Sequence, residues 1–236
     1  MKRLWTELRA ALRRSDLVLL ISLLAITVCI WLFVFVANEV AEQSTKQRDQ
    51  RILLALREAG DPRKPWGPSW LHGGMRDITA LGSPVVLVIV VLTSAAWLWV
   101  RRQHHAFLLL LASTLGARLL NAFLKDLFAR PRPDVELHLM PASSPSFPSG
   151  HAMDSAAIYL TIAALLAQQV EPRVQRLYLL AVAASLSVLI GVSRVYLGVH
   201  YPSDVLAGWC AGLAWALVCW TVARYLQRRG DVEPPK

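Results

Sequence analysis

The chain has 236 residues, which is enough for one domain or one compact helical bundle. Apolar residues make up 55% of it and the mean hydropathy is +0.43. A soluble core of this size does not need so much apolar surface, so the composition indicates a membrane protein. The formal net charge is +9, but many basic residues flank apolar segments. That placement favours topology signals and anionic lipid headgroups over nucleic acid as a partner.

The first predicted membrane span runs from Leu17 to Ala37 and follows a basic N-terminal segment. It is almost wholly apolar and long enough to cross a bilayer, which takes about 20 helical residues. A cleaved signal peptide is the alternative. We disfavour it because the apolar run is too long for a signal sequence and Phe35 fits poorly three residues before a cut after Ala37. We therefore predict an uncleaved first helix.

Residues 38–77 form the longest polar region and are predicted to be an extramembrane loop. Within it, residues 39–59 carry mixed charge with grouped leucines, a pattern typical of a short interfacial helix. Residues 60–74 are rich in glycine and proline and are predicted to be a loop. Trp66 and Trp70 suit the lipid headgroup layer, although a solvated loop that contains tryptophan is nearly as good an interpretation.

Five more apolar segments follow, so we predict an all-α fold: a single membrane-embedded domain over residues 1–236 that forms a six-helix transmembrane bundle. These spans are residues 78–100, 106–123, 152–167, 177–192 and 205–226. The third contains Arg118 and Asn121, which is unusual because a charge inside a membrane helix is costly and normally faces the protein interior. Arg118, Asn121 and Lys125 follow one another at spacings of three and four residues, which puts their side chains on one helical face.

Six spans place both termini and the turns after spans two and four on one side of the membrane. That side is rich in basic residues and poor in acids, so the positive-inside rule assigns it to the cytoplasm. Its basic residues are Lys2, Arg3, Arg9, Arg13, Arg14, Arg101, Arg102, Arg173, Arg176, Arg224, Arg228, Arg229 and Lys236. His104 and His105 suggest a metal, but no third ligand is near, and we favour a basic cytoplasmic turn.

Three polar clusters then fall together on the outer side, periplasmic or extracellular. They are Lys125 with Arg132, the run Pro148-Ser149-Gly150-His151, and Arg194 with His200 and Asp204. Each residue alone also fits a plainer role, such as a helix cap or a cation that reaches the interface along its apolar stem. Their joint occurrence at one face indicates a phosphate-ester site, because phosphoryl transfer depends mainly on positioning and on stabilising negative charge.

The residue types in these clusters divide the chemistry between them. Arginine grips two phosphate oxygens at once and lysine acts as a point charge. We expect the backbone N–H groups of Ser149 and Gly150 to form an anion site at a helix N-terminus.

His200 and Asp204 are four residues apart, so the carboxylate can hold one ring nitrogen and leave the other free to attack phosphorus. His151 is the natural acid for the leaving oxygen. We therefore expect no metal and no cofactor. Cys29, Cys210 and Cys219 lie in apolar stretches and are interpreted as packing residues.

The ordered set resembles the tripartite signature of the type 2 phosphatidic acid phosphatase superfamily, which includes bacterial membrane lipid phosphatases. Lys125 to Pro133 fits K-x6-R-P, residues 148–151 read P-S-G-H, and Ser193 to Asp204 fits S-R-x5-H-x3-D. The resemblance implies His200 as the nucleophile that forms a phosphohistidine, Asp204 as its orienting group, and His151 as general acid and then activator of water. The phosphate would be bound by Lys125, Arg132, Ser149, Gly150 and Arg194. Arg130 and Arg118 lie outside these roles.

The resemblance implies hydrolysis of a lipid phosphate or diphosphate, of the undecaprenyl diphosphate, phosphatidylglycerol phosphate or phosphatidic acid type, at the outer face of an inner membrane. A lipid A phosphatase or a lipid phosphotransferase would use the same residues. The haloperoxidases of the superfamily share them too, but membrane spans argue against that activity. An anion transporter or channel that uses Arg118 is a remote alternative, because polar residues crowd one end of the spans. The sequence leaves the oligomeric state open.

Overall fold

The structure is a computed structural model and describes residues 14–229. It contains eight α-helices and one short 3-10 helix over this range, and one two-stranded hairpin that the sequence did not predict. The elements are α1 (Arg14–Ala41), α2 (Lys46–Ala55), β1 (Arg57–Glu58), β2 (Asp61–Pro65), α3 (Ser69–Ala80), α4 (Pro84–Val100), α5 (His104–Phe128), a short 3-10 helix (Val135–Leu137), α6 (Gly150–Ala167), α7 (Arg173–Tyr196) and α8 (Pro202–Arg229). The basic residues predicted to be cytoplasmic at 2–13 and 236 lie outside the described residues.

Five of these helices are long and apolar enough to cross a membrane: α1, α5, α6, α7 and α8. The pair α3 and α4 makes a sixth if it is counted as one bent span. Large apolar side chains stay exposed on the outside of the bundle, among them Leu24, Trp31 and Leu119. Such a surface is stable only against lipid. The chain is therefore an integral membrane protein with a helical bundle, as the composition predicts.

The second predicted span, residues 78–100, is broken in the structure. Helix α3 ends at Ala80, and α4 begins at Pro84 after a bend of 47° between the two axes. Proline favours a first helical position, and Ser83 caps the new helix by accepting a hydrogen bond from the Val86 backbone N–H at 3.4 Å. The Tyr159 hydroxyl donates to the Leu81 carbonyl oxygen at 2.7 Å and so attaches the bend to α6.

The predicted loop over residues 38–77 is largely ordered secondary structure. It holds α2, the β1–β2 hairpin and the start of α3, so the expected loop over residues 60–74 is wrong in its boundaries. A strand and a helix turn can form there because these residues pack on the rest of the chain. Leu71, for example, packs against the buried residues Tyr196, Leu197 and Val199.

Helix α6 lies at the centre of the bundle and packs closely against α8. Its buried face is built from small residues, including Ala152 and Ala156. A Cβ on Gly208 of α8 would come within 2.7 Å of the Ser149 carbonyl oxygen, so glycine is required at that crossing. Small residues allow this close backbone approach between membrane helices. The approach brings the N-terminal ends of α6 and α8 into contact.

Helices α5 and α7 are longer than the apolar runs that predict them. Helix α5 continues through Lys125 to Phe128, and α7 continues through Arg194 to Tyr196. In α5, Arg118 pairs with the buried Asp154 of α6 through atoms 2.6 Å apart, although half of the Arg118 side chain is exposed. The charge of Arg118 is therefore paired with a buried carboxylate, although the Arg118 side chain itself is not enclosed by the protein.

Candidate active site

Four helix ends meet at one end of the bundle and carry most of the predicted site residues. Lys125 lies in the last turn of α5 and Arg194 in the last turn of α7. Gly150 begins α6, and Asp204 lies in the first turn of α8. The backbone N–H of Ser149 donates to the Asp204 carbonyl oxygen at 3.0 Å, which joins two of these ends directly. Segments far apart in sequence thus converge on one place.

His200 is held from one side by Asp204, but the contact is shared with Ser146. The Nδ1 atom of His200 lies 3.5 Å from Asp204 Oδ2 and 3.4 Å from Ser146 Oγ. Ser146 Oγ donates to the same carboxylate oxygen at 2.5 Å, so its oxygen can accept from the His200 ring. Nδ1 therefore carries the proton, and the lone pair of His200 is on Nε2.

Arg132 and Lys125 are arranged around the short segment Ser144–Pro145. Arg132 donates through Nε to the Ser144 carbonyl oxygen at 2.6 Å and through Nη2 to Ser144 Oγ at 3.1 Å. Lys125 Nζ contacts the Pro145 carbonyl oxygen. Arg132 Nη1 also lies 3.3 Å from His200 Nε2. The nitrogen of His200 that carries the lone pair thus faces a fixed cation.

At the helix N-terminus near Gly150, the prediction that the Ser149 N–H binds an anion is wrong. This N–H donates to the Asp204 carbonyl oxygen, so it is not free. The Ser149 side chain is instead the available group, because its Oγ is fully buried and has no hydrogen-bond partner among the described residues. Gly150 faces Asn121, whose Oδ1 would lie 3.2 Å from a Cβ at that position.

Arg194 is almost completely buried, with 4% of its surface exposed. Its Nη1 donates to Thr79 Oγ1 at 3.1 Å and lies 3.2 Å from the Met140 sulfur. Its Nε is buried and has no partner in the described part of the chain. A buried, unused donor on a cation is costly without an anion to receive it.

His151 lies in the first turn of α6 and is only partly buried. Its ring packs beside Gly82, where an added Cβ would come 3.3 Å from His151 Cδ2. Within residues 14–229 no hydrogen bond fixes this ring, in contrast to His200. His151 is therefore free to face a bound group from the α3–α4 side of the site.

Burial makes His200 a neutral base. It lowers the pKa of His200 to about 3, although Asp204 acts in the opposite direction through its hydrogen bond and charge; Arg194 and Arg132 lower it further. Neutral imidazole is the form that has a lone pair to donate. The same cations that would hold a phosphate also keep this base unprotonated.

Sequence reasoning missed three residues: two contact the predicted set directly, and the third, Asp49, reaches it through Arg130. Arg130 was left out of the site, yet its Nη1 pairs with Asp204 Oδ1 at 2.5 Å. Asp49 pairs with Arg130 at 3.0 Å between Oδ2 and Nη2. The other direct contact is that of Ser146 with Asp204. The repeated R-P-R-P pattern could have suggested Arg130, but nothing in the sequence around Asp49 or Ser146 indicates a role.

The described residues contain no group of three or more His, Cys, Asp or Glu side chains arranged to hold a metal ion. His104 and His105 are exposed and lie at the start of α5, at the opposite end of that helix from Lys125. The cluster at the helix ends therefore consists of cations, two histidines, hydroxyls and a single orienting carboxylate.

Comparison with known proteins agrees with this geometry. The sequence model of the PAP2 superfamily matches residues 106–228, more than half of the chain. The chain is 40% identical to phosphatidylglycerophosphatase B of Bacillus subtilis over 185 residues, covering 77% of this chain and 86% of that protein. It is also 31% identical over 138 residues to YbjG of Escherichia coli, covering 56% of this chain and 65% of that protein. The name of YbjG describes it as a proposed undecaprenyl-diphosphatase.

Solved structures agree as well. The crystal structure of a transmembrane PAP2-type phosphatidylglycerolphosphate phosphatase from Bacillus subtilis superposes with a TM-score of 0.78 at 30% identity, covering 86% of this chain and 98% of that one. LpxE of Aquifex aeolicus gives a TM-score of 0.53 at 27% identity and covers 66% of this chain and 88% of that one. The chain therefore belongs to the PAP2 superfamily and is a membrane-embedded phosphatase.

Proposed function

We propose that this phosphatase hydrolyses a lipid phosphate or diphosphate through a phosphohistidine formed on His200. The observation that carries the proposal is the orientation of this ring. Its Nδ1 side faces Ser146 and Asp204, and its Nε2 side faces Arg132. A nucleophile needs this arrangement, with one nitrogen fixed by an acceptor and the other directed at the electrophile.

In the first step, Nε2 of His200 attacks phosphorus while the bond from phosphorus to the leaving oxygen breaks. Lys125, Arg132 and Arg194 stabilise the charge on the three equatorial oxygens, and the hydroxyl of Ser149 and the N–H of Gly150 add donors. His151 gives a proton to the leaving oxygen. Asp204 stabilises the positive charge that develops on the His200 ring as the bond forms.

In the second step, water replaces the imidazole. His151, now neutral, takes a proton from the attacking water as its oxygen bonds to phosphorus and the bond to Nε2 breaks. Inorganic phosphate and neutral His200 are the products. No step requires a redox change, and each proton that His151 gives up in the first step is recovered in the second.

The substrate class is proposed from the relatives. Their names describe action on phosphatidylglycerol phosphate and on undecaprenyl diphosphate, and we propose lipids of these types, with phosphatidic acid as a further candidate. A lipid A phosphatase is supported less well, because the activities that these relatives' names state concern other lipids. A phosphotransferase, in which a second lipid replaces water, would use the same residues. Transport has no support among these relatives.

We also propose that the enzyme lies in a bacterial inner membrane with both termini in the cytoplasm and the site facing the periplasm. The support is the distribution of charge in the described residues. The turns at the end away from the site carry the exposed Arg101, Arg102, Arg173 and Arg176, and basic turns stay in the cytoplasm.

A panel of lipid phosphates offered to the purified protein in detergent tests this function. We expect phosphate release from phosphatidylglycerol phosphate or undecaprenyl diphosphate that persists in EDTA, and none from a His200→Ala blank. Release that strictly requires an added metal ion would contradict the mechanism. Anion flux in liposomes without any phosphate release would contradict the activity itself.

A further inference from the structure

Two buried charged side chains come from a segment that the PAP2 sequence model does not cover. The match begins at residue 106, whereas Asp49 and Arg57 lie in α2 and β1. Only 3% of Asp49 and 5% of Arg57 is exposed. Burying such groups is costly unless each is paired and hydrogen-bonded. Their partners are therefore informative. Apart from the Leu56 carbonyl oxygen, which accepts from Arg57 at 3.0 Å, these partners lie next to the loop that carries His200.

Asp49 binds the start of α8. Its Oδ2 accepts from the Ser203 hydroxyl at 2.5 Å, and its Oδ1 accepts from the Ser203 backbone N–H at 3.2 Å. The same carboxylate accepts from Arg130 Nη2 at 3.0 Å. Arg130 in turn donates through Nη1 to Asp204 and stacks on the Tyr201 ring at 4.3 Å. Asp49, Arg130 and Asp204 thus form a buried chain that ends beside His200.

Arg57 binds the other end of the same loop. Its Nη1 donates to the Tyr196 carbonyl oxygen at 2.9 Å, at the last residue of α7. Its Nη2 donates to the Leu137 carbonyl oxygen at 2.6 Å. Gly198, with a φ of +71°, packs against both Leu137 and Arg57. The loop from Tyr196 to Ser203 is therefore held at both ends by one short extramembrane segment.

The charges in this chain suggest a role beyond anchoring. Arg130 alone would neutralise Asp204, leaving little negative charge to stabilise a positive ring on His200. With Asp49 included, two carboxylates share one guanidinium and the group keeps a net charge of −1. The net charge of this group is thus −1 with Asp49 and about zero without it. In a buried, low-dielectric site this change in net charge acts strongly on the positive charge that develops on the nearby His200 ring.

We propose that residues 45–58 position the nucleophile loop, and that Asp49 balances Arg130 so that Asp204 keeps its negative charge for His200. Asp49, Arg57 and Arg130 are positioning residues that act through Asp204 and the loop. The inference rests on the proposed role of His200 as nucleophile. It makes the segment before the matched region part of the catalytic apparatus.

The test is Asp49→Asn, which keeps shape and removes charge. We expect kcat to fall about tenfold to a hundredfold, because Asp204 would then stabilise the positively charged His200 ring less well in the transition state, with KM within about twofold. Phosphohistidine formation in a single turnover should slow by the same factor. Asp49→Glu keeps the charge and should retain more activity. Glu136→Gln breaks an exposed ion pair with Arg63 of β2 and is the matched control, with wild-type kcat expected.

A double variant separates charge from simple stability. Asp49→Asn/Arg130→Gln restores a net charge of −1 at Asp204, so it should be faster than Asp49→Asn alone. If the double variant is slower than the single one, the charge-balance proposal is overturned. A folded Asp49→Asn enzyme with wild-type kcat, or a loss that only matches the fraction unfolded in a melting curve, overturns it as well.

His200→Ala, measured in parallel, distinguishes the two proposals. Turnover by His200→Ala would refute the phosphohistidine mechanism itself. An inactive His200→Ala enzyme together with a fully active Asp49→Asn enzyme would refute only the role of the 45–58 segment. Should Asp49→Asn fail to fold, Asp49→Glu and the double variant are compared directly, and the proposal then requires both to form phosphohistidine.

Discussion

The two ends of the bundle both carry arginines, and only one of them has the geometry of a site. At the end that holds the proposed site, Arg194 is nearly buried and Arg130 has a side chain only 12% exposed. At the other end, Arg101 and Arg102 are exposed, and Arg101 has no fixed partner in the described chain apart from the Trp97 ring at 5.9 Å. Positive charge alone therefore does not distinguish a catalytic cluster from a topology signal.

Burial and fixed partners make the difference. An exposed arginine is solvated and screened, so its charge acts weakly on a neighbour. A buried arginine held by hydroxyl and carbonyl oxygens keeps its direction, and its field acts in a low dielectric. The end that holds the proposed site has buried cations of this kind. It also has two buried polar atoms without a hydrogen-bond partner among residues 14–229, Arg194 Nε and Ser149 Oγ. Four predictions test the contrast, from the largest expected effect to the smallest.

Replacing His200 by alanine should remove nearly all turnover, by about ten-thousandfold or more, because the ring whose Nε2 attacks phosphorus is then missing. Phosphate release and labelling of the protein by a phosphate-labelled substrate measure this effect. The melting temperature in detergent should stay near that of the wild type, which separates loss of chemistry from loss of fold. A near-normal rate would end the assignment of His200.

Replacing Arg194 by alanine should lower kcat about a hundredfold to a thousandfold, which is typical of losing one donor to developing charge. The matched variant at the other end, Arg101→Ala/Arg102→Ala, should change kcat by no more than about twofold in detergent. Both are measured with the same lipid substrate. Equal losses in the two variants would show that the comparison between the ends is wrong.

Replacing His151 by alanine should slow turnover about a hundredfold for a lipid substrate, the usual scale of general acid catalysis. The loss should be much smaller for an aryl phosphate with an acidic leaving group, which departs without a proton. Rates of the first turnover with both substrates measure the difference. A loss of the same size for both would argue against His151 as the general acid.

The depressed pKa of His200 predicts a pH dependence of stability. In the unfolded chain His200 takes a proton below about pH 6.5, whereas in the folded protein its pKa is about 3. Between these values the unfolded state binds more protons, so stability falls as the pH is lowered, by at most about 1.4 kcal/mol per pH unit. The melting temperature of the wild type should therefore fall relative to that of His200→Gln as the pH drops from 7 to 4. A difference between the two melting temperatures that does not change with pH would contradict the pKa shift.

Much of the fold follows from local patterns. The apolar runs predict the spanning helices because a bilayer requires about 20 apolar residues per helix. The errors lie where tertiary contacts decide. The hairpin at residues 57–65 depends on packing against α7, and the extra turn of α7 holds Arg194, which is stable there because it is buried against Thr79. The bend before Pro84 has a local signal in Ser83 and Pro84, but the apolar run of residues 78–100 by itself predicts one unbroken span.

The sequence by itself determined the membrane class, the order of the polar motifs and the chemical types gathered at one face. These follow from hydropathy, charge and short spacings, which are local properties. Only the tertiary structure decided that the Ser149 N–H is already used, that Ser146 lies between His200 and Asp204, and that Asp49 shares Arg130 with Asp204. The Asp49–Ser203 contact joins residues 154 positions apart. No local pattern encodes such a contact, because its free energy arises only when both groups are buried together.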